Sequence, residues 1–193
     1  PAPGTRLEAS FYSSLFFYPK AIGKTWLNYI IEEKTILWWG GLGRSTEHTA
    51  FLNLKNGIDA PESGSHKING DWIPEQIGAQ IFIDGFAMST PGNPDLAAKN
   101  VRAAASVSHD GIALDAAVLL GTMESMAFYE KDKDKLLDNG LSYVKDKHLL
   151  NVVEKLRNEC AKTNDWHNVR HWIEKNHGYK HYEGPCHVVP NHL

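Results

Sequence analysis

Cysteine is nearly missing from this chain. Cys160 and Cys186 are the only two in 193 residues. They match neither a Cys-x-x-Cys pair nor a disulfide framework, which leans towards a reducing, intracellular compartment. An excess of basic charge is missing too. With 20 Lys and Arg against 23 Asp and Glu the net charge is −3, and no basic face exists to displace counterions from phosphates, so no DNA or RNA partner is expected. Long apolar runs are absent. The longest, Leu15-Phe16-Phe17-Tyr18, is far too short to span a bilayer, and the N-terminus lacks the basic-then-apolar layout of a signal peptide, so no membrane partner is expected. No strand pattern runs beyond a few residues, and no internal repeat or low-complexity tract is found.

What remains is helical periodicity and a 42% hydrophobic fraction, enough for one sizeable core. Residues 1–20 show no clean period and read as an N-terminal arm; residues 21–193 read as a single all-α domain. From Ala21, the positions Ile22, Trp26, Tyr29 and Ile30 share one face and predict a helix to about Lys34. Ser45 is a good N-cap for a helix carrying Ala50, Phe51 and Leu54, which Gly57 stops. Pro74 suits the first turn of another, read as one buried helix with Ile77, Ile81 and Phe82 among small residues. "PGNPDLAAKNVRAAASVS" predicts an Ala-rich helix with Pro94 at its start, and Ile112 to Phe128 a central one with little charge. Three more follow, at Leu136 to Val144, Leu149 to Ala161 and Asp165 to Asn176, with loops at 57–72 and 178–190. The chain begins at Pro1 without a methionine and stops just after "VPNH", a better helix start than protein end. A domain lacking segments at both ends is expected.

Familiar motifs fail in turn. "GGLGRST" lacks the Walker lysine and does not follow a strand, no GxSxG elbow exists, and Glu47-His48 has no second histidine four residues on. His167 and His171 have metal-ligand spacing on a helix, but no acid or thiol stands at a fixed offset to complete a zinc shell. Asp132 and Asp134 alternate with lysines and read as a solvated helix start. Three segments survive. Ser108-His109-Asp110 ends the Ala-rich helix, either capping and orienting the next helix or presenting an imidazole to a ligand. Glu47 serves the dipole of its own helix by default. "SGSHKING", residues 63–70, is either a surface turn or an anion-binding loop, because the same Gly, Ser and Asn residues suit both.

The order of these segments resembles a known family. "WWGGLGRSTEHTAFLNLKNGI", then "PESGSHKINGDWIPEQIGAQIFIDGFAMSTPGNPDLAAKNVRAAASVSHDG", then "YKHYEGPCHVVPNH" are similar to the central part of the ADP-ribosylglycohydrolases, the relatives of dinitrogenase reductase-activating glycohydrolase, over about Trp26 to His192. The resemblance implies an orthogonal all-α bundle that cleaves the glycosidic bond between ADP-ribose and an acceptor. It implies that Gly64, Ser65 and His66 hold the pyrophosphate and nearby ribose, that Asn69 and Gly70 shape the end of the loop, and that Ser108 and His109 face the same ligand. It also implies a pair of magnesium ions, whose ligands in the family lie in an N-terminal acidic cluster and a C-terminal Asp-x-Asp-Thr motif; neither motif is in this chain, so no metal ligand and no catalytic residue is assigned. The partner implied is ADP-ribose or an ADP-ribosylated acceptor, with a second copy or partner chain to supply what is missing. Two other readings stay open: an ADP-ribose-binding module without hydrolysis, and a structural module contacting another protein through Trp38, Trp39 and Trp72.

Overall fold

The computed structural model describes residues 17–36, 39–182 and 186–192. Among them the chain is all-α, as the periodicity predicts, with two isolated bridges, Glu32 with Ile36 and Gln76 with His187, in place of any sheet. None of the described helices is long and apolar enough to cross a membrane. Trp38 and most of the arm lie outside the described residues.

The Ile112–Met126 helix (α7) is the organising element. One face, with Ile112, Ala113, Ala116 and Leu119, joins a core with Leu149 and Val152 from the Lys147–Cys160 helix (α9) and Val188 and Val189 from the Val188–His192 helix (α11). The opposite face, with Ala117 and Val118, packs on Val101 and Ala105 of the Pro94–Ala105 helix (α6) and on Ala79, Ile83 and Ala87. A third cluster joins Ile22 of the Pro19–Tyr29 helix (α1) and Leu54 of the Thr46–Lys55 helix (α2) to Ala103, Ala104 and Val107. A helix apolar on both faces is buried on both, so its low charge marked it as central. The Lys133–Leu141 helix (α8) and the Trp166–His177 helix (α10) pack outside this frame.

Side-chain caps set the starts of most of the longer helices. Ser45 accepts the His48 N–H, Asn93 that of Leu96 with Pro94 at the first helical position, Asp146 that of Leu149, and Asp165 that of His167. Each satisfies a backbone donor that a helix start leaves orphaned.

Three expectations are corrected. The first helix stops at Tyr29, because Ile30 is extended and the Thr35 hydroxyl takes the Ile31 N–H at 2.7 Å in a compact turn. The buried helix after Pro74 is a 3₁₀ turn at Ile73–Glu75 followed by two short helices, Gly78–Phe82 (α4) and Asp84–Met88 (α5). Its buried isoleucine is Ile83, whereas Ile81 is 72% exposed. The loop expected at 178–190 carries a 3₁₀ turn at Tyr179–His181 and begins α11.

Candidate functional site

Residues 63–70 are a 3₁₀ turn, Glu62–Gly64, running into a single helical turn, His66–Asn69 (α3). The turn is pinned from below. The buried Ser63 hydroxyl donates to the Val107 carbonyl at 2.7 Å. The Asn53 amide donates to Ser63 O and to Asn69 Oδ1, both at 2.8 Å, and the Asn69 amide donates to the carbonyls of Ser63 and Ser65 at 2.9 and 3.1 Å. Asn69 therefore spends its side chain on holding the loop, and Gly70 ends it at φ 72°, a left-handed conformation that favours glycine. Beneath them Gly64 lies directly on the backbone of Ser108: a Cβ there would stand 2.5 Å from the Ser108 carbonyl carbon. The two segments that the sequence singled out separately are thus one packed unit.

The Ser108-His109 pair sits under that unit. His109 is 1% exposed, with Nε2 accepting the Ala79 N–H at 3.0 Å and Nδ1 paired with the Ser108 hydroxyl at 2.8 Å. A ring that accepts at Nε2 carries its proton on Nδ1 and donates it to Ser108. Burial pushes its pKa down to about 3, so the imidazole is neutral. Glu47, over Gly78, brings Oε1 to 3.8 Å from Nε2 and accepts the Ser45 hydroxyl on Oε2 at 3.2 Å. Glu47 thus keeps its place in the first turn of α2 while closing over the histidine.

Above, a line of alternating imidazoles and carboxylates crosses the loop. His66 has Nδ1 3.2 Å from Asp110 Oδ2 and Nε2 3.3 Å from Glu75 Oε1. The other Glu75 oxygen lies 3.1 Å from His187 Nε2. Gly111, at φ 58°, is the floor of this contact: a Cβ would meet His66 Cε1 at 2.6 Å and Glu75 Oε1 at 2.8 Å. His66, Glu75 and Asp110 remain partly exposed.

Most backbone N–H groups of the loop are used inside the protein. Gly64 and Ser65 donate to the carbonyls of Pro61 and Glu62, both at 3.1 Å, and His66 donates to Asp110 Oδ2, also at 3.1 Å. At this turn the carboxylate of Asp110 is an anion supplied by the protein itself. What the loop offers outward is side chains: the partly exposed carboxylates of Glu75 and Asp110, with His66 held between them.

Sequence reasoning missed Glu75 and His187 and read Asp110 only as a cap. Glu75 was hidden in a presumed helix start, and His187 among the six histidines from His167 onward. The magnesium pair finds no seat here: among the described residues no group of three or more His, Cys, Asp or Glu side chains could hold a metal ion. Trp39 is half-buried against Phe51 and stacked on His48, and Trp72 is half-buried.

No curated protein and no solved structure matches the chain. The model of one family, ADP-ribosylglycohydrolase, matches residues 12–188, a span that starts upstream of Trp26 and holds every segment of the loop unit described above. The chain belongs to the ADP-ribosylglycohydrolase family.

Proposed function

We propose that this chain supplies the ADP-ribose-facing wall of an ADP-ribosylglycohydrolase-type hydrolase. Ser65 and His66 touch the ligand, Asn69 and Gly70 hold the loop in shape, and Gly64, Ser108 and His109 form the floor on which it rests. The observation that carries this reading is the contact of Gly64 with the Ser108 backbone, which fuses the two segments into one rigid wall. The wall suits a ribose better than a bare phosphate. Vicinal hydroxyls donate to carboxylates, here Glu75 and Asp110 on either side of His66, while the exposed Lys67 at the loop edge offers a donor to the pyrophosphate. Membership implies a divalent metal, which the described residues do not fit.

Calorimetric titration with ADP-ribose tests the reading, with ribose 5-phosphate and inorganic phosphate as comparisons. ADP-ribose binds in preference to both, and His66→Ala weakens it by about tenfold, the worth of one good polar contact. Unaltered affinity in a folded His66→Ala variant, or no binding of ADP-ribose by the native protein with or without magnesium, overturns it. Binding that is indifferent to magnesium and without release of ADP-ribose from an ADP-ribosylated acceptor supports the second reading, a module that holds the ligand without cutting it.

A further inference from the structure

We propose that His187 is a positioning residue for the 63–70 loop, acting through Glu75 on His66. This rests on the reading of that loop as the ligand wall, and it gives the C-terminal segment a task there.

The segment is tied at several points. Val188 and Val189 are fully buried in the core beside Leu149 and Val152. The Ile77 N–H donates to the Cys186 carbonyl at 2.9 Å, and Gln76 pairs with His187 as an isolated antiparallel bridge. His187 is therefore carried in from the core on a short anchored stretch and meets Glu75 one residue before that bridge. Its tautomer is fixed as well. Nδ1 accepts the Val189 N–H at 3.2 Å, so the proton is on Nε2, which donates to Glu75 Oε2 at 3.1 Å. The Tyr182 ring stacks on the imidazole at 4.5 Å and 25°, and its hydroxyl is held by His148 and His177 at 2.9 and 3.2 Å. One face of His187 is thus braced by a second hydrogen-bonded cluster.

Glu75 has no such brace of its own. It closes a 3₁₀ turn and its side chain stands partly in solvent. One oxygen on His187 leaves the other turned to His66 Nε2, over the flat floor of Gly111. Without the donor on His187, Glu75 exchanges its partners for water, and His66 keeps only Asp110. A carboxylate with one oxygen anchored orients its second oxygen at little entropic cost, which is how His187, without touching a ligand, sets the geometry of groups that do.

Two substitutions separate this from a structural role. His187→Asn retains a carbonyl to accept the Val189 N–H and is too short to reach Glu75; His187→Gln places an amide donor where Nε2 stood. In the ligand-free protein, the His66 Cε1–H resonance moves in His187→Asn and in Glu75→Gln, stays near its native position in His187→Gln, and gains no further shift when His187→Asn is added to Glu75→Gln. ADP-ribose affinity falls by about tenfold in His187→Asn and by less than about threefold in His187→Gln, as for one lost and one replaced hydrogen bond. A His66 resonance unmoved in both folded His187→Asn and Glu75→Gln overturns the proposal, as does additive behaviour in the double variant. If His187→Asn does not fold, Glu75→Gln, which leaves the C-terminal segment intact, decides the His66 arm. Failure of the native protein to bind ADP-ribose removes the ligand reading alone, because the resonance of His66 reports the coupling without any ligand.

Discussion

At the scale of single residues, the sharpest constraint is at Gly64. Its Cα hydrogens face the Cα, N and carbonyl carbon of Ser108, at 2.7, 2.7 and 2.5 Å from where a Cβ would be. These are backbone atoms of a segment fixed by Ser63, Ala105 and Ala79, so nothing yields cheaply. Gly64→Ala is expected to cost about 3 kcal/mol or more through overpacking. Gly85→Ala is the control: it meets nothing within 4 Å, lies in α5 and replaces a poor helix former by a good one, so it costs nothing. Urea denaturation of both variants checks the contrast, and equal losses would place the Gly64 contact elsewhere than on the backbone. The letters of "SGSHKING" fit a turn and an anion-binding loop equally, and a shaping role for Asn69 and Gly70 came from the family resemblance. The contact partner was not legible, because Ser108 lies far along the chain and only packing brings it there. His109 shows the same limit in reverse: a Ser-His pair after a helix reads equally as a ligand contact or a support, and only its burial and two internal partners put it under the loop.

Single elements divide by whether local signals or distant partners define them. The capped helices, α2, α6, α9 and α10, were legible to within a few residues since their N-caps and apolar stripes lie inside the segment. The stretch from Trp72 to Met88 was not. Gln76 is extended, at ψ 164°, because it pairs with His187, and that interruption splits what periodicity alone joins into one helix. A different long-range tie holds the outer helices. Asp115 of α7, 3% exposed, accepts the N–H groups of Lys145 and Asp146 on Oδ2, each at 2.6 Å, and the Arg102 guanidinium on Oδ1. One carboxylate thus fixes the entry to α9 and locks α6 against α7. Asp115→Ala strands two backbone donors and is expected to lose roughly 3 kcal/mol. Arg157→Ala is the counterpart: its pairs with Asp134 and Asp138 stand at the surface, and exposed ion pairs are worth about 0–1 kcal/mol. Denaturant midpoints compare the two; an Asp115→Ala loss no larger than that of Arg157→Ala would mean water replaces the carboxylate freely.

For the whole molecule, buried ionisable groups set how stability follows pH. His109 and His192 are both pushed down by burial, to about 3 and about 4. The Gln80 amide donates to the His192 Nδ1 and to the Ala116 carbonyl. Each histidine takes up a proton in the unfolded chain below the usual value near 6.5 while the folded protein refuses it. Stability is therefore lost as pH falls from that value, by up to ~1.4 kcal/mol per pH unit for each. Glu124 of α7 acts in the opposite sense. Burial first, and Asp84 of α5 second, raise its pKa to about 7, and its buried Oε2 has no hydrogen-bond partner among the described residues. Its folded form holds a proton that the unfolded chain releases above about 4.5, so its contribution is complete in acid and is lost as pH rises to about 7. With Glu124 only partly buried, solvent screening reduces that loss to roughly 1–2 kcal/mol. Two histidines outweigh one carboxyl, and the stability maximum falls near pH 6.5. Glu124→Gln removes the loss on the alkaline side: the variant is more stable than the native protein above pH 7, matches it near pH 4.5, and shows a steeper acid limb between them. Guanidinium denaturation from pH 4.5 to 8 measures all three features. A native protein whose stability stays level down to pH 5 would show that His109 and His192 accept protons in the folded state, and the neutral floor beneath the loop would have to be abandoned with them.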